Sequence, residues 1–137
     1  MRLSRSASPW RGIAFAILAF LVTGASGPCL AADSTRYTAA GFEAAQKAGM
    51  PILVEVSAPW CPICKSQKAV LAKLGTDARF KDLQIFDVDF DSQKDVLRQF
   101  DARMQSTLIV FKGATETGRS VGETQPEWIE SLLEKAL

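Results

Sequence analysis

Short apolar runs alternate along this chain with segments whose apolar residues recur every three or four positions. Ile52 to Ser57 reads "ILVEVS", β-branched and apolar except at Glu55 and Ser57, which predicts a strand covered on both faces. Leu83 to Asp89 ("LQIFDVD") predicts a second strand with acidic residues at its carboxyl end. Leu108 to Phe111 ("LIVF") predicts a third, and Arg119 to Val121 a weaker fourth, paired across a turn that begins at Lys112-Gly113. Helices fill the intervals. Thr38 to Lys47 ends at Gly49, with Pro51 beyond as a stop. Cys61 to Leu74 has Pro62 in its first turn, where a missing N–H is harmless, and Ile63, Ala69, Val70 and Leu74 at roughly helical spacing before Gly75. Gln93 to Phe100 is a short helix. Thr124-Gln125-Pro126-Glu127 reads as a capping box opening a last helix through Leu137, with Trp128, Ile129, Leu132 and Leu133 facing inward. The order implies an α/β fold with a central mixed sheet and helices on both faces.

The amino terminus follows a different pattern. Arg2, Arg5 and Arg11 flank an apolar run from Ile13 to Val22, and small residues lead to Leu30-Ala31-Ala32 before Asp33. This is the layout of a secretory signal peptide over residues 1–32, cut next to Ala31 or Ala32. The apolar run spans about 15 Å as a helix, roughly half of a hydrocarbon core, so a membrane-spanning helix is the poorer reading. Retention of the segment would leave the domain membrane-anchored. Cys29 follows Pro28 where lipid attachment wants a small residue, and it leaves with the signal.

Cleavage changes the charge and cysteine arithmetic. Residues 1–32 hold three arginines and no acid, so removal leaves 13 basic against 15 acidic residues and moves the formal charge from +1 to −2. A near-neutral domain over residues 33–137 has no footprint for nucleic acid or an anionic membrane. Its cysteines are Cys61 and Cys64 alone. A disulfide between them closes so short a loop that it removes little unfolded-state entropy, which argues against a purely structural crosslink. Zinc wants four ligands, and residues 33–137 offer two cysteines and no histidine. Haem attachment is excluded because Lys65 stands where Cys-x-x-Cys-His requires histidine. A Cu(I) ion, or an iron–sulfur or zinc centre shared by two chains, remains an alternative use of the pair. A redox-inert binding module is a third.

The run "ILVEVSAPWCPICK" resembles the active-site strand, turn and helix of the thioredoxin superfamily, whose usual pattern is a buried strand followed by Trp-Cys-x-x-Cys-Lys. "LIVFKG" resembles the third core strand and its turn, and Val121-Gly122 the valine-glycine pair before the last helix. The resemblance covers essentially all of residues 33–137 and implies a thioredoxin-like three-layer fold, thiol–disulfide exchange with protein substrates and no cofactor.

The motif also has its own physics. A helix starting at Cys61 aims free N–H groups and a positive dipole end at that sulfur, favouring the thiolate that acts as nucleophile in disulfide exchange. Cys64, one turn later, is placed to resolve the mixed disulfide. Cys61 is therefore expected to attack and Cys64 to resolve. The resemblance implies that Trp60 forms an apolar wall beside the sulfur and contacts the partner protein, the alternative being a cover for the sheet edge, and the two are compatible; Lys65 is read as a solvated charge. Pro62 and Ile63, between the cysteines, are expected to touch substrate. Glu55 lies where both faces should be dry, and an unpaired buried carboxylate responds by raising its pKa. The family usually has aspartate there, so Glu55 is expected to carry the proton of Cys64, the alternative being a strand-end carboxylate reaching water. Asp87 is expected beside it, where many thioredoxins have lysine.

One departure stands out. The family carries a cis-proline before the third strand, opposite the cysteines, and in "RMQSTLIVFKG" that place is held by Ser106. A cis bond before serine costs roughly 3 kcal/mol, so a trans Gln105–Ser106 bond is expected. In the family the backbone of the preceding residue, here Gln105, pairs with bound peptide, so an altered groove follows, with the cysteines more open to metal. Ser106 is alternatively placed to hydrogen-bond the Cys61 sulfur. The Pro-Ile dipeptide resembles neither the Gly-Pro of cytosolic thioredoxins nor the Pro-His of strong periplasmic oxidants. With no histidine to stabilise the thiolate further, a reductant or isomerase-type role is expected, in the periplasm or otherwise exported. The partners are then thiols and disulfides of exported proteins and a membrane electron donor, and the protein is a monomer.

Overall fold

The computed structural model describes residues 34–137; the signal-peptide reading of residues 1–32 lies outside them. Five strands and four helices follow in the order β1 (Ser34–Arg36), α1 (Ala39–Lys47), β2 (Pro51–Ser57), α2 (Pro62–Leu74), a single 3-10 turn (Ala78–Phe80), β3 (Gln84–Asp89), α3 (Lys94–Gln99), β4 (Thr107–Lys112), β5 (Thr115–Val121) and α4 (Pro126–Glu134). The sheet order is β1-β3-β2-β4-β5. β1 and β2 run parallel to β3, while β4 runs antiparallel to both β2 and β5. The mixed sheet expected from the sequence is thus present.

Its two faces carry separate cores. Ile52, Val54 and Val56 of β2 join Phe86, Val88, Ile109 and Phe111 in a cluster that also takes Phe42 of α1 and Leu97 of α3. Tyr37, Phe42, Phe86, Phe100 and Phe111 meet there edge-on or tilted, with centroids 5.3 to 6.2 Å apart, a geometry the ring quadrupoles favour. Leu53, Ile85, Leu108 and Val110 point the other way, against Leu71 of α2 and Ile129, Leu132 and Leu133 of α4. Helices on both faces make three layers. Because side chains alternate along a strand, Glu55 and Ser57 share the face of Leu53, and Asp87 that of Ile85. Three polar residues therefore collect at one end of the sheet, on the side that α2 covers.

The structure corrects four local expectations. β1 leaves no signal in the sequence because its residues are all exposed and carry no apolar alternation; its pairing with Ile85, Phe86 and Asp87 makes it a strand. β5 extends from Thr115, beyond the expected Arg119 start, its polar residues held by the register with β4. α4 has Gln125 as N-cap with no side-chain hydrogen bond. The carboxylate of Glu123 instead accepts the N–H groups of Thr124 and Gln125, each at 2.8 Å. Trp128 is 66% exposed: it sits about a quarter-turn from the centre of the Ile129–Leu132–Leu133 stripe.

Candidate active site

β2 delivers the chain to the site, and Ala58-Pro59-Trp60 turn it into α2. Cys61 is the N-cap, in extended conformation, with Pro62 following in the first turn. Its sulfur accepts the backbone N–H of Cys64 at 3.0 Å, a place normally taken by a serine or aspartate oxygen. Cys61 and Cys64 form a disulfide with their Cα atoms 5.3 Å apart. Both are buried, clustered with Ala58, and the half-buried Phe90 packs against them. The helix start positions the pair, as the sequence implied.

A cleft of about 310 Å³ runs beside the disulfide, lined by Ser57, Cys61, Cys64, Lys68, Asp87 and other residues. Asp87 accepts the Ser57 hydroxyl at 2.7 Å and the Lys68 ammonium at 3.1 Å. Glu55 is its neighbour in the parallel register. The Glu55 side chain is 1% exposed, and its Oε1 has no hydrogen-bond partner. Burial pushes its carboxyl up to about 7; the Lys68 ammonium opposes this and the Asp87 carboxylate adds to it. The alternative of a strand-end carboxylate reaching water does not describe this residue. The close Glu55–Asp87 neighbours expected from the sequence are present, with Lys68 supplying from α2 the positive charge that many thioredoxins place on the strand.

The expected groove residues converge on the same end of the sheet. Trp60 is 58% exposed, its indole N–H donating to Asp91 at 2.8 Å and its ring edge-on to Phe90 at 6.5 Å. Pro62 is exposed, and Ile63 is 41% exposed rather than on the packed stripe of α2; the buried positions are Cys64, Gln67 and Leu71.

Among the described residues no peptide bond is cis, so Gln105–Ser106 is trans. Ser106 adopts a left-handed φ of 58°. Its N–H donates to the Val56 carbonyl at 2.8 Å and its own carbonyl accepts the Gly122 N–H at 2.9 Å. The hydroxyl donates to the Gln105 carbonyl at 2.5 Å, rather than to the Cys61 sulfur as one reading had it. Gln67 is the residue that the sequence reading missed. It is fully buried and donates to the carbonyls of Ser106 and Glu123. Its spacing, three after Cys64 and four before Leu71, was the available signal.

Comparison with known proteins agrees with this geometry. The Thioredoxin family model matches residues 34–135. Thioredoxin Asp f 29 of Aspergillus fumigatus is 30% identical over 61% of this chain and 76% of its own length. Thioredoxin 1 of a Nostoc species is 30% identical over 64% and 81%. The crystal structure of Trxlp from Edwardsiella tarda EIB202 superposes with a TM-score of 0.72 at 42% identity, covering 74% of this chain and 98% of that one. Proteins of the thioredoxin family act on protein disulfides, and this chain holds a Cys-x-x-Cys disulfide at the start of α2. It belongs to the thioredoxin family and is a thiol–disulfide oxidoreductase.

Proposed function

We propose that this is an exported protein-disulfide oxidoreductase of reducing or isomerising type, in which Cys61 attacks, Cys64 resolves and Glu55 carries the proton. The observation that carries this reading is the capped sulfur: Cys61 stands at the N-terminus of α2 with an N–H aimed at it from 3.0 Å. The same donor and dipole favour the reduced thiolate over the thiol.

In the reduced protein the Cys61 thiolate attacks one sulfur of a substrate disulfide. The substrate S–S bond breaks, its distal sulfur leaves as a thiolate, and Cys61 holds the other half as a mixed disulfide. Glu55, ionised above pH 7, takes the Cys64 proton. The Cys64 thiolate attacks the Cys61 sulfur, the intramolecular disulfide forms, and the second substrate sulfur leaves and accepts a proton. Two electrons pass to the substrate. Trp60, Pro62, Ile63, Gln105 and Ser106 form the docking surface around the sulfur. In an oxidising compartment the disulfide is recharged by a membrane electron donor, and the protein works as a monomer.

Support for export comes from the basic–apolar–small pattern of residues 1–32. Support for the reducing direction comes from the Pro-Ile dipeptide, which places no histidine beside the thiolate. Insulin reduction with dithiothreitol, alkylation of Cys61 against pH and the reduction potential of the pair test this together. A Cys61 thiol that titrates near 8.5, as a free cysteine does, removes the activated nucleophile. A potential near −120 mV, as for strong oxidants, overturns the reducing direction.

A further inference from the structure

We propose that Gln67 is a positioning residue for the substrate-docking loop: from inside the active-site helix its amide holds the backbone carbonyls of Ser106 and Glu123, the restraint that here stands in for a proline ring. This rests on the reading of Gln105 and Ser106 as part of the docking surface.

Gln67 lies on α2 three residues beyond Cys64 and is fully buried. Its Nε2 donates to the Ser106 carbonyl at 3.1 Å and to the Glu123 carbonyl at 2.9 Å. Both partners are acceptors only, so they determine which end of the amide faces them. The other end, Oε1, is buried without a partner. A half-satisfied buried amide is worse for stability than an apolar side chain of the same size. Folding alone gives no reason for glutamine on the packed stripe between Cys64 and Leu71.

The reason is on the facing loop. Ser106 carries a side chain at a φ of 58°, a conformation that persists only where its surroundings over-determine it. Hydrogen bonds to Val56 of β2 and from Gly122 after β5 hold it within the sheet. The Thr107 hydroxyl ties the same loop by donating to the Met104 carbonyl at 2.7 Å. None of these contacts links the loop to the cysteines. The Gln67 amide does, because it belongs to the helix that carries them. Its two bonds thereby set how far the Gln105 backbone stands from the Cys61 sulfur. The second bond, to Glu123, brings the turn between β5 and α4 into the same arrangement.

Gln67→Met keeps the length of the side chain and removes the donors. The expected result is a KM for insulin raised about tenfold, with kcat and the rate of Cys61 alkylation by iodoacetamide each changed less than about twofold. A KM unchanged in the folded variant overturns the proposal, as does an equal loss in insulin reduction and alkylation, which would mean a general disturbance of α2. The wild-type protein supplies a second measurement that does not depend on the variant folding. By NMR the side-chain amide protons of Gln67 should exchange with water at least about tenfold more slowly than those of the exposed Gln125. Solvent-like exchange overturns the proposal. Wild-type protein that fails to reduce insulin while its Gln67 amide stays protected would sink the parent reading instead, whereas fast exchange in an active protein sinks the clamp alone.

Discussion

α2 and α4 begin with the same local signal and serve different ends. Each follows an extended residue with a proline in its first turn, and each packs on the same face of the sheet. At α2 the N-cap is a cysteine whose sulfur takes the free N–H of Cys64, and the buried stripe includes Cys64 and Gln67 beside Leu71. At α4 no side chain caps the helix, and the stripe is Ile129, Leu132 and Leu133. Proline in the first turn reports that a helix starts. What the free N–H groups are for depends on the residue just before it, and the polar content of the stripe distinguishes a helix that only packs from one that also positions chemistry.

The comparison can be broken most severely at Cys61. Cys61→Ser retains a good capping atom and removes the nucleophile, so insulin reduction should be lost while stability of the reduced protein, read by thermal unfolding, changes by no more than about 1 kcal/mol. Residual turnover would show that the cap and the chemistry are not the same atom. Cys64→Ser should leave alkylation of Cys61 in place and stop turnover after one covalent substrate adduct per chain, which mass spectrometry counts directly.

Glu55 gives the next effect. Its carboxyl is raised from the ordinary 4.5 to about 7 by burial, so the folded state holds a proton that the unfolded state has released. This contribution is therefore complete below about pH 4.5 and is lost as pH rises through 7, a change of about 3 kcal/mol. The chain has no histidine, and in the disulfide form Cys61 and Cys64 do not titrate. Unfolding of the oxidised protein should thus show stability falling between pH 5 and 8, and Glu55→Gln should flatten the curve. In turnover, the same variant should slow resolution by about tenfold above pH 7; an unchanged rate and pH profile would remove Glu55 from proton transfer.

Smaller shifts follow from the neighbours. Lys68→Met removes the ammonium that favours the ionised Glu55 and should move its titration upward; Asp87→Asn removes a like charge and should move it downward, each by about a unit or less. Carboxyl NMR titration measures both. The smallest effect belongs to α4. Thr124→Ala should alter stability by no more than about 0.5 kcal/mol, because Thr124 supplies no cap; a working capping box would have cost about 1 kcal/mol.

Legibility in the sequence followed the type of signal. "ILVEVS" announced β2 because burial on both faces leaves an apolar run, and the single carboxylate in it stood out as a site for that reason. Cys61, Pro62 and Cys64 announced the start of α2 through local stereochemistry. The amino-terminal half of β5 is polar and gives no strand signal, and Trp128 imitates an inward residue because an aromatic beside an apolar stripe looks like part of it.

What the sequence by itself determined is the periodic part of this protein: the buried strands, the helix starts, the cysteine spacing and, through these, the fold class. Each follows from a residue's own backbone preference or from its affinity for water. What only the tertiary structure decided is which distant segments meet. β1 is a strand only because β3 offers it an edge, and Lys68 takes up the charge beside Glu55 only because α2 crosses there. Gln67 reaches Ser106 across 39 residues of sequence. Such contacts depend on register and packing between elements, and no local pattern encodes either.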